Sequence, residues 1–587
     1  MNALSERPVT ECSFTTHDGV ELFYRHWPAT GTRRGAVVMF HRGHEHSGRM
    51  AHLADELKLP DLDVFAWDAR GHGRSPGKRG YSPSVGTSVR DIQTFIDHIN
   101  AHHAVATRDI AVVAQSVGAV LAATWVHDYA PPIRSLVLAS PAFKVKLYVP
   151  FARPGLRLLQ RIKGNFFVNS YVKSSFLTHD KARQASYDKD PLISRPISVN
   201  ILLGLYRAAE RLVADAQAIT VPTQLLISGA DWVVHHKPQH DFFDRLGSPV
   251  KEKHVLDGFF HDTFGEDGRE RAVRQARDFI LRQFDDPAPA VDFSDAHKHG
   301  YTFDEAERLA APLPPRSLRG IGWNLYRKGL TWSGMLSEGV SLGQRTGFDS
   351  GSTLDYVYRN QVNGLTPLGR MIDRNYLDAV GWKGIRRRKV HIGELIRAAM
   401  QHLRDQDRAV KVLDIAAGHG RYVLDALTAD SGKPDAIVLR DFSDMNVEAG
   451  QRMVEQKHLG DIAHFEQGDA FDTDSVAAAQ PATTIGIVSG LYELFPDNDL
   501  VRRSLAGMAS AVEPGGYLIY TGQPWHPQLE MIARALTSHR DGAAWVMRRR
   551  TTAEMDQLVR DAGFEKIEQR IDEWGIFTVG LARRVTA

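Results

Sequence analysis

Short apolar runs alternate with longer amphipathic ones through the first half of the chain. GAVVMFH (35–41), DVFAWDARG (63–71), DIAVVAQS (109–116), SLVLASP (135–141), TQLLISGAD (223–231) and KEKHVLDG (251–258) read as strands. SVRDIQTFIDHINAHH (88–103) and RERAVRQARDFILRQF (269–284) instead space their apolar residues at the helical period. Strands alternating with helices predict a parallel sheet joined by crossover helices. The rhythm lapses over about 143–212, which predicts a helical insertion. Residues 285–315, polar and punctuated by DDPAPAV and APLPP, predict a linker. Residues 316–394, rich in glycine, aromatics and arginine, are expected to form a helical element. A second β/α series starts at VKVLDIAAGHG (410–420) and continues through DAIVLRD, AHFEQGD, TTIGIVSG and EPGGYLIYTG. The expected division is therefore 1–284, linker 285–315, helical element 316–394 and core 395–587, with no internal repeat.

The bulk numbers narrow the function classes. A chain of 587 residues exceeds one ordinary core. A formal net charge of +2 gives no basis for a nucleic-acid partner. One cysteine, Cys12, excludes an intramolecular disulfide and a cysteine-built zinc site. MNALSERPVTECSF lacks the apolar segment of a signal peptide, and no apolar run reaches the ~18 residues of a membrane span. A cytoplasmic protein is expected. None of the 26 histidines falls in an H-E-x-x-H pair.

AVVAQSVGAV (111–120) has the outline of a nucleophile elbow, a strand running into Ser116 and then a helix. Positions two before and two after the nucleophile must be small, because strand and helix backbones pass close there. Gly118 fits, and Ala114 stands where glycine is usual. Asp231 follows the strand TQLLIS, and His261 lies in a loop before the last helix of the half, so the order Ser, Asp, His is that of α/β-hydrolases. The carboxylate would orient the imidazole, the imidazole take the serine proton, and the serine attack a carbonyl carbon. Backbone N–H donors for the oxyanion are assigned to Gly43 and Val117. His44 and His46 are read as shaping the loop rather than binding metal.

HRGHEHSGR, WDARGHGRSPGKRG, AQSVGA, YDKDPL, SGADWVV and DGFFHDTFGE together resemble the monoacylglycerol lipase and lysophospholipase branch of the α/β-hydrolases, over about residues 10–284. The resemblance implies an α/β-hydrolase fold with a helical cap and a lipid-ester substrate. Arg42 departs from it, standing where glycine is frequent. FKVKLYVPFARPGLRLLQRIKGNFF (143–167) interleaves six basic residues with apolar ones. Such a segment can rest on an anionic membrane surface or pack as a lid with a solvated charged face.

In the second half, VKVLDIAAGHGRYVLDAL (410–427) is a strand, a glycine turn and a helix whose N-terminus favours polar or anionic groups. Val423 sits where a nicotinamide-binding G-x-G-x-x-G motif needs glycine. The D-x-A-x-G-x-G arrangement instead resembles motif I of the class I S-adenosylmethionine-dependent methyltransferases, with Ala416 where glycine is usual. By that resemblance Asp414, Gly418 and Gly420 flank the cofactor, Asp441 holds its ribose and Asp469 contacts its adenine. It implies S-adenosyl-L-methionine as cofactor and a Rossmann-like fold, but names no methyl acceptor. Tyr356, Tyr358, Arg359 and Tyr376 are either acceptor-pocket residues or helix packing, and RRRK (386–389) either meets an anionic group or is solvated.

The whole resembles a bacterial family that fuses an α/β-hydrolase to a methyltransferase. The expected function is a bifunctional enzyme hydrolysing a lysophospholipid or monoacylglycerol and methylating an unknown acceptor. The rivals are a hydrolase of other esters or thioesters beside a non-catalytic cofactor-binding domain, and a lipid-binding scaffold.

Overall fold

The computed structural model describes residues 7–146, 151–364, 366–428, 432–479, 482–540 and 542–585. Residues 1–6 of the N-terminal stretch and 147–150 of the basic cap segment lie outside them. The chain divides into two compact units, Met1–Val291 and Asp292–Ala587.

The first unit is built on an eight-stranded sheet. Its strands in chain order are β1 (Thr10–Thr15), β2 (Glu21–Trp27), β3 (Gly35–Phe40), β4 (Leu62–Trp67), β5 (Ile110–Gln115) and β6 (Ser135–Ala139). The cap then contributes a separate antiparallel pair, β7 (Phe167–Asn169) and β8 (Pro196–Ser198), before β9 (Thr223–Ser228) and β10 (Lys251–Leu256) return to the sheet. The order is β1-β2-β4-β3-β5-β6-β9-β10, parallel from β4 to β10. β3, β4, β5, β6 and β9 are buried at every position, as continuous apolar runs covered on both faces require. This is the α/β-hydrolase fold. The insertion read as helical thus carries a short ribbon as well as its helices, of which the last runs Val199–Ala214.

The second unit holds seven strands: β11 (Lys411–Asp414), β12 (Ala436–Asp441), β13 (Ala463–Gln467), β14 (Thr483–Val488), β15 (Val512–Gly522), β16 (Phe564–Ile571) and β17 (Thr578–Arg584). Their order is β13-β12-β11-β14-β15-β17-β16, the first five parallel and β17 antiparallel between β15 and β16. The order reverses at β11/β14, so the C-terminal ends of these strands open a crevice of the kind in which doubly wound sheets bind ligands. This is the Rossmann-like fold of class I methyltransferases.

Two expected boundaries move. The helix Val380–Arg404 runs unbroken through the division expected at 394/395, because Ile392, Leu395, Ile396, Ala399, Met400 and Leu403 continue one apolar stripe onto the sheet. The linker is also shorter than 285–315. From Asp292 the chain is anchored on the second unit: Gln557 bonds Phe293 N and Asp292, Arg548 bonds Ala296 O and Thr302, and Tyr301–Ala310 is a helix. The stretch is polar because those polar groups are its attachments. Among the described residues no helix is long and apolar enough to cross a membrane.

Candidate active sites

The strand β5 hands the chain to the helix Val117–Tyr129 through Ser116, which has φ 56° and ψ −115°. A non-glycine residue at positive φ costs on the order of 1–3 kcal/mol and persists only where its surroundings hold it. Here Ser116 N donates to Ala139 O (2.9 Å), and Ser116 O accepts from Ala142 N (3.1 Å). The tight crossing falls at Gly118, where an added Cβ would stand 2.4 Å from His41 O and 2.6 Å from Phe40 O. Ala114 is fully buried in register with Phe40 and Leu138, and its methyl is accommodated there.

Ser116 Oγ lies 2.7 Å from His261 Nε2, and His261 Nδ1 lies 2.7 Å from Asp231 Oδ2. All three side chains are buried. Burial pushes the Asp231 carboxyl up, but the His261 imidazole and the amides of Val234 and Val233 outweigh it and hold the group below the usual carboxylate range. Asp231 therefore stays an anion facing the imidazole. Gly43 packs against Val117, its added Cβ falling 3.0 Å from Val117 Cγ2, so the two residues assigned to the oxyanion meet beside Ser116.

Arg42 is engaged by buried acids. Its guanidinium binds Glu45 (Nε–Oε2 2.8 Å) and approaches Asp262 at 3.6 Å; Arg183 donates to the same Asp262 carboxylate at 2.6 Å. Gln115, the residue before Ser116, donates 3.2 Å bonds to His261 O and to Asp262 Oδ1. A buried charge network thus joins the oxyanion loop, the elbow and the His261 loop. Gln115 and Asp262 fill variable positions of the motifs around Ser116 and His261, so the sequence did not single them out, and their adjacency to those two residues was the one signal available. His44 and His46 tie the oxyanion loop to the cap, through Ser194 O (2.7 Å) and Asp190 Oδ2 (3.0 Å).

In the second unit β11 ends at Asp414 and turns through Gly418 (φ 57°) and Gly420 (φ 73°), conformations that favour glycine. Gly418 N donates to Asp441 Oδ2 (2.9 Å) at the end of β12, whose other oxygen accepts from Ser443 N and Asn446 Nδ2. Asp414 is buried with Tyr422 Oη 2.5 Å away; burial, reinforced by the nearby Asp441 charge, pushes its carboxyl up to about 7 despite the Tyr422 and Ala416 hydrogen bonds. Asp469 is exposed one residue past Gly468, whose N–H donates to Asp441 O. The structure thus brings Asp414, Gly418, Gly420 and Asp441 together, with Asp469 at the neighbouring strand end.

The helical element divides the residues the sequence left open. Tyr376 lines a cavity, Tyr358 lines the cleft at the glycine turn, Tyr356 bonds Asp373 (2.5 Å), and Arg359 pairs with Asp355 (3.1 Å). RRRK forms no common surface: Arg388 is buried, Lys389 pairs with Asp425, and Arg386 donates to Leu377 O. The spacing of these side chains on one helix sends them to different neighbours.

Comparison with known proteins agrees with both folds. The family model described as "Putative methyltransferase" matches residues 276–584, and the "Serine aminopeptidase, S33" model matches residues 31–268. The uncharacterized protein YnbC of Escherichia coli strain K12 is 56% identical over 97% of this chain and 98% of its own. Human monoglyceride lipase is 28% identical over 42% of this chain and 80% of its own. A crystal structure of a soluble variant of monoglyceride lipase from Saccharomyces cerevisiae, in complex with a substrate analog, is 18% identical with a TM-score of 0.44, covering 48% of this chain and 98% of that one. An α/β-hydrolase domain related to monoglyceride lipases is therefore joined to a methyltransferase-type domain, and the chain belongs to the family described as "Putative methyltransferase".

Proposed function

We propose that the first unit is a serine hydrolase of lipid esters, a monoacylglycerol or lysophospholipid being the substrate class. The observation that carries this reading is the continuous Ser116–His261–Asp231 relay at 2.7 Å per contact. His261 Nε2 takes the Ser116 proton while Oγ attacks the ester carbonyl. The N–H groups of Gly43 and Val117 receive the oxyanion, and the proton passes on to the leaving alcohol oxygen. Water repeats the sequence on the acyl-enzyme. The lipid assignment draws on the relatives named as monoglyceride lipases and on the cap helix Ala152–Lys163. Phe151, Leu158 and Ile162 there are 86%, 59% and 70% exposed on one face, flanked by Arg157, Arg161 and Lys163. A solvated apolar face edged with cations suits the surface of an anionic membrane, where such a substrate is found. Fluorophosphonate labelling followed by monoacylglycerol hydrolysis tests the reading: labelling no stronger in the wild type than in Ser116→Ala would refute it.

For the second unit we infer S-adenosylmethionine-dependent methyl transfer. The residues present suit that cofactor chemically. Asp414 is a buried carboxyl with no cation against it among the described residues, the cofactor carries two cationic centres, and the Gly418–Gly420 turn lines a cleft. Asp441 offers carboxylate oxygens to a diol, and Phe442 and Met445 beside it are exposed apolar surface for a base. When bound, the cofactor supplies an electrophilic methyl group. Calorimetric titration of wild type and Asp441→Ala tests this: no binding to the wild type would reduce the unit to a scaffold.

A further inference from the structure

Beside the glycine turn lies a cavity of about 460 Å³, within the ~300–1,000 Å³ typical of small-molecule sites. Its wall is apolar and aromatic, with Tyr376, Trp382, Ile385, Met531, Trp545 and Phe577 prominent. Leu354 and Arg388 line both this cavity and the cleft at Gly418–Gly420, and the adjacent residues Ser489 and Gly490 each line one of them. The two spaces are therefore neighbours at the ends of β11 and β14. The cavity's rim is apolar too: Tyr326, Leu330 and Ser333 line it, while Leu318, Leu325 and Trp332 of the same helix, Leu318–Gly334, are 90%, 64% and 53% exposed.

The polar atoms in the wall restrict what the cavity can hold. Asp349 is consumed by Ser538 Oγ and His539 N, each at 2.6 Å. Glu493 Oε1 accepts from Thr521 (2.8 Å) and lies 3.6 Å from Arg388. Glu493 Oε2 and Trp545 Nε1, on side chains more than nine-tenths buried, have no hydrogen-bond partner among the described residues. Burial pushes the His526 imidazole down to about 4, and its Nδ1 accepts from Gln528 N (3.0 Å), so a neutral ring keeps its proton on Nε2. The wall thus offers the Arg388–Glu493 charge pair, a free carboxylate oxygen on Glu493, the unpartnered Tyr376 hydroxyl, and unpartnered donors at Trp545 Nε1 and Arg388 Nε among the described residues. Arg388 and Glu493 already balance each other, so a charged ligand would leave one buried charge uncompensated, which is costly. A neutral hydroxyl is matched, because it donates once and accepts twice.

Resting on the methyltransferase reading, we propose that this cavity takes the methyl acceptor, that the acceptor is an uncharged apolar molecule bearing a hydroxyl group, and that Glu493 is the catalytic residue that receives its proton. The O–H bond breaks toward Glu493 Oε2, the hydroxyl oxygen forms the bond to the methyl carbon with its own electron pair, and the cofactor leaves as the neutral thioether with the pair of the broken C–S bond. The products are a methyl ether and one proton held on Glu493. Glu493 is positioned by the buried Arg550, which donates to Tyr492 O and to Phe495 O (2.5 and 2.8 Å) on either side of it.

Calorimetry on the full chain, in the presence of S-adenosylhomocysteine, tests this with three probes of equal length: n-octanol, octanoate and octylammonium. Octanol is expected to bind at least tenfold more tightly than either ion. Glu493→Gln, which replaces the free acceptor with a donor, should weaken octanol about tenfold while leaving S-adenosylmethionine affinity within twofold. Met531→Trp, which fills the cavity away from the glycine turn, should abolish octanol binding with cofactor binding retained. In parallel, S-adenosylhomocysteine release from S-adenosylmethionine should be stimulated by octanol in the wild type and at least a hundredfold less in Glu493→Gln. Cofactor binding combined with preference for octanoate or octylammonium, or with octanol affinity unmoved by Glu493→Gln, would overturn the acceptor assignment alone. A wild type that prefers octanol but does not bind S-adenosylmethionine would overturn the methyltransferase reading, and Glu493's role with it.

Discussion

Replacing Asp414 by asparagine should stabilise the second unit above about pH 4, increasingly so up to about pH 7. The folded carboxyl sits at about 7, pushed up chiefly by burial and also by the Asp441 charge, against ~3.9 in an unfolded chain. The folded state thus holds this proton more tightly. Below about pH 4 both states are protonated and the site costs nothing. As pH rises from about 4 to about 7 the unfolded state ionises first, and stability is lost; above 7 the loss is complete. Three pKa units at 1.36 kcal/mol each amount to about 4 kcal/mol. Asparagine imitates the protonated acid, its oxygen accepting from Ala416 N and its amide nitrogen donating to the Tyr422 hydroxyl, so it removes the penalty. For a unit of about 300 residues, unfolding entropy near 2.1 cal/mol/K per residue converts about 4 kcal/mol into a melting shift of about 6 °C. Scanning calorimetry at pH 5, 6, 7 and 8 should show the second unit's transition in Asp414→Asn rising above wild type as pH rises, with the gap closing toward pH 4. A destabilised variant at pH 8, or a gap independent of pH, would refute the reasoning, since either would mean that the carboxylate is already compensated. The same substitution should weaken S-adenosylmethionine binding at least tenfold, because it deletes the anion that a cationic ligand would neutralise.

In the hydrolase unit, Asp231→Asn should lower kcat for a soluble ester by about 10³–10⁴ while Ser116 remains in place, since the imidazole loses its orienting anion; steady-state kinetics on a chromogenic ester measures this. Asp262→Ala leaves Arg42 and Arg183 without their shared carboxylate and should cost about 3–5 kcal/mol in urea unfolding of that unit. Phe151→Asp combined with Ile162→Asp should cut hydrolysis of monoacylglycerol on anionic vesicles severalfold with soluble-ester turnover unchanged, both residues being solvent-facing; an equal fall on both substrates would count against surface docking. Gly118→Val should fail to yield folded first unit by limited proteolysis, the added Cβ meeting backbone oxygens at 2.4–2.6 Å.

What the sequence disclosed and what it hid follow from the range of the interactions. Ser116, Asp231 and His261 were legible because each stands at a strand end, and a parallel sheet brings its strand ends to one edge whatever the intervening cap does. The same logic exposed Asp414, Gly418 and Asp441, the last two joined at 2.9 Å across the ends of β11 and β12. Arg42 stands out as a departure because its meaning lies not only in nearby Glu45 but in Asp262 and Arg183, two segments that no local pattern connects to it. Glu493 was invisible for a similar reason. Its loop is held by Arg550, more than fifty residues on, within a run of arginines whose composition suggests solvent and whose side chains are buried. The long helix Val380–Arg404 shows the converse error: a composition shift near 395 suggested a boundary, while the apolar stripe from Ile392 to Leu403 argued for continuity. Periodicity measures what a segment must pack against, whereas composition measures only its average surroundings. Where the two disagree along this chain, at the helix and at the buried arginines alike, the packing requirement decides the structure, and the residues that composition misplaces include Arg388, which lines the cavity, and Arg550, which holds the backbone on either side of Glu493.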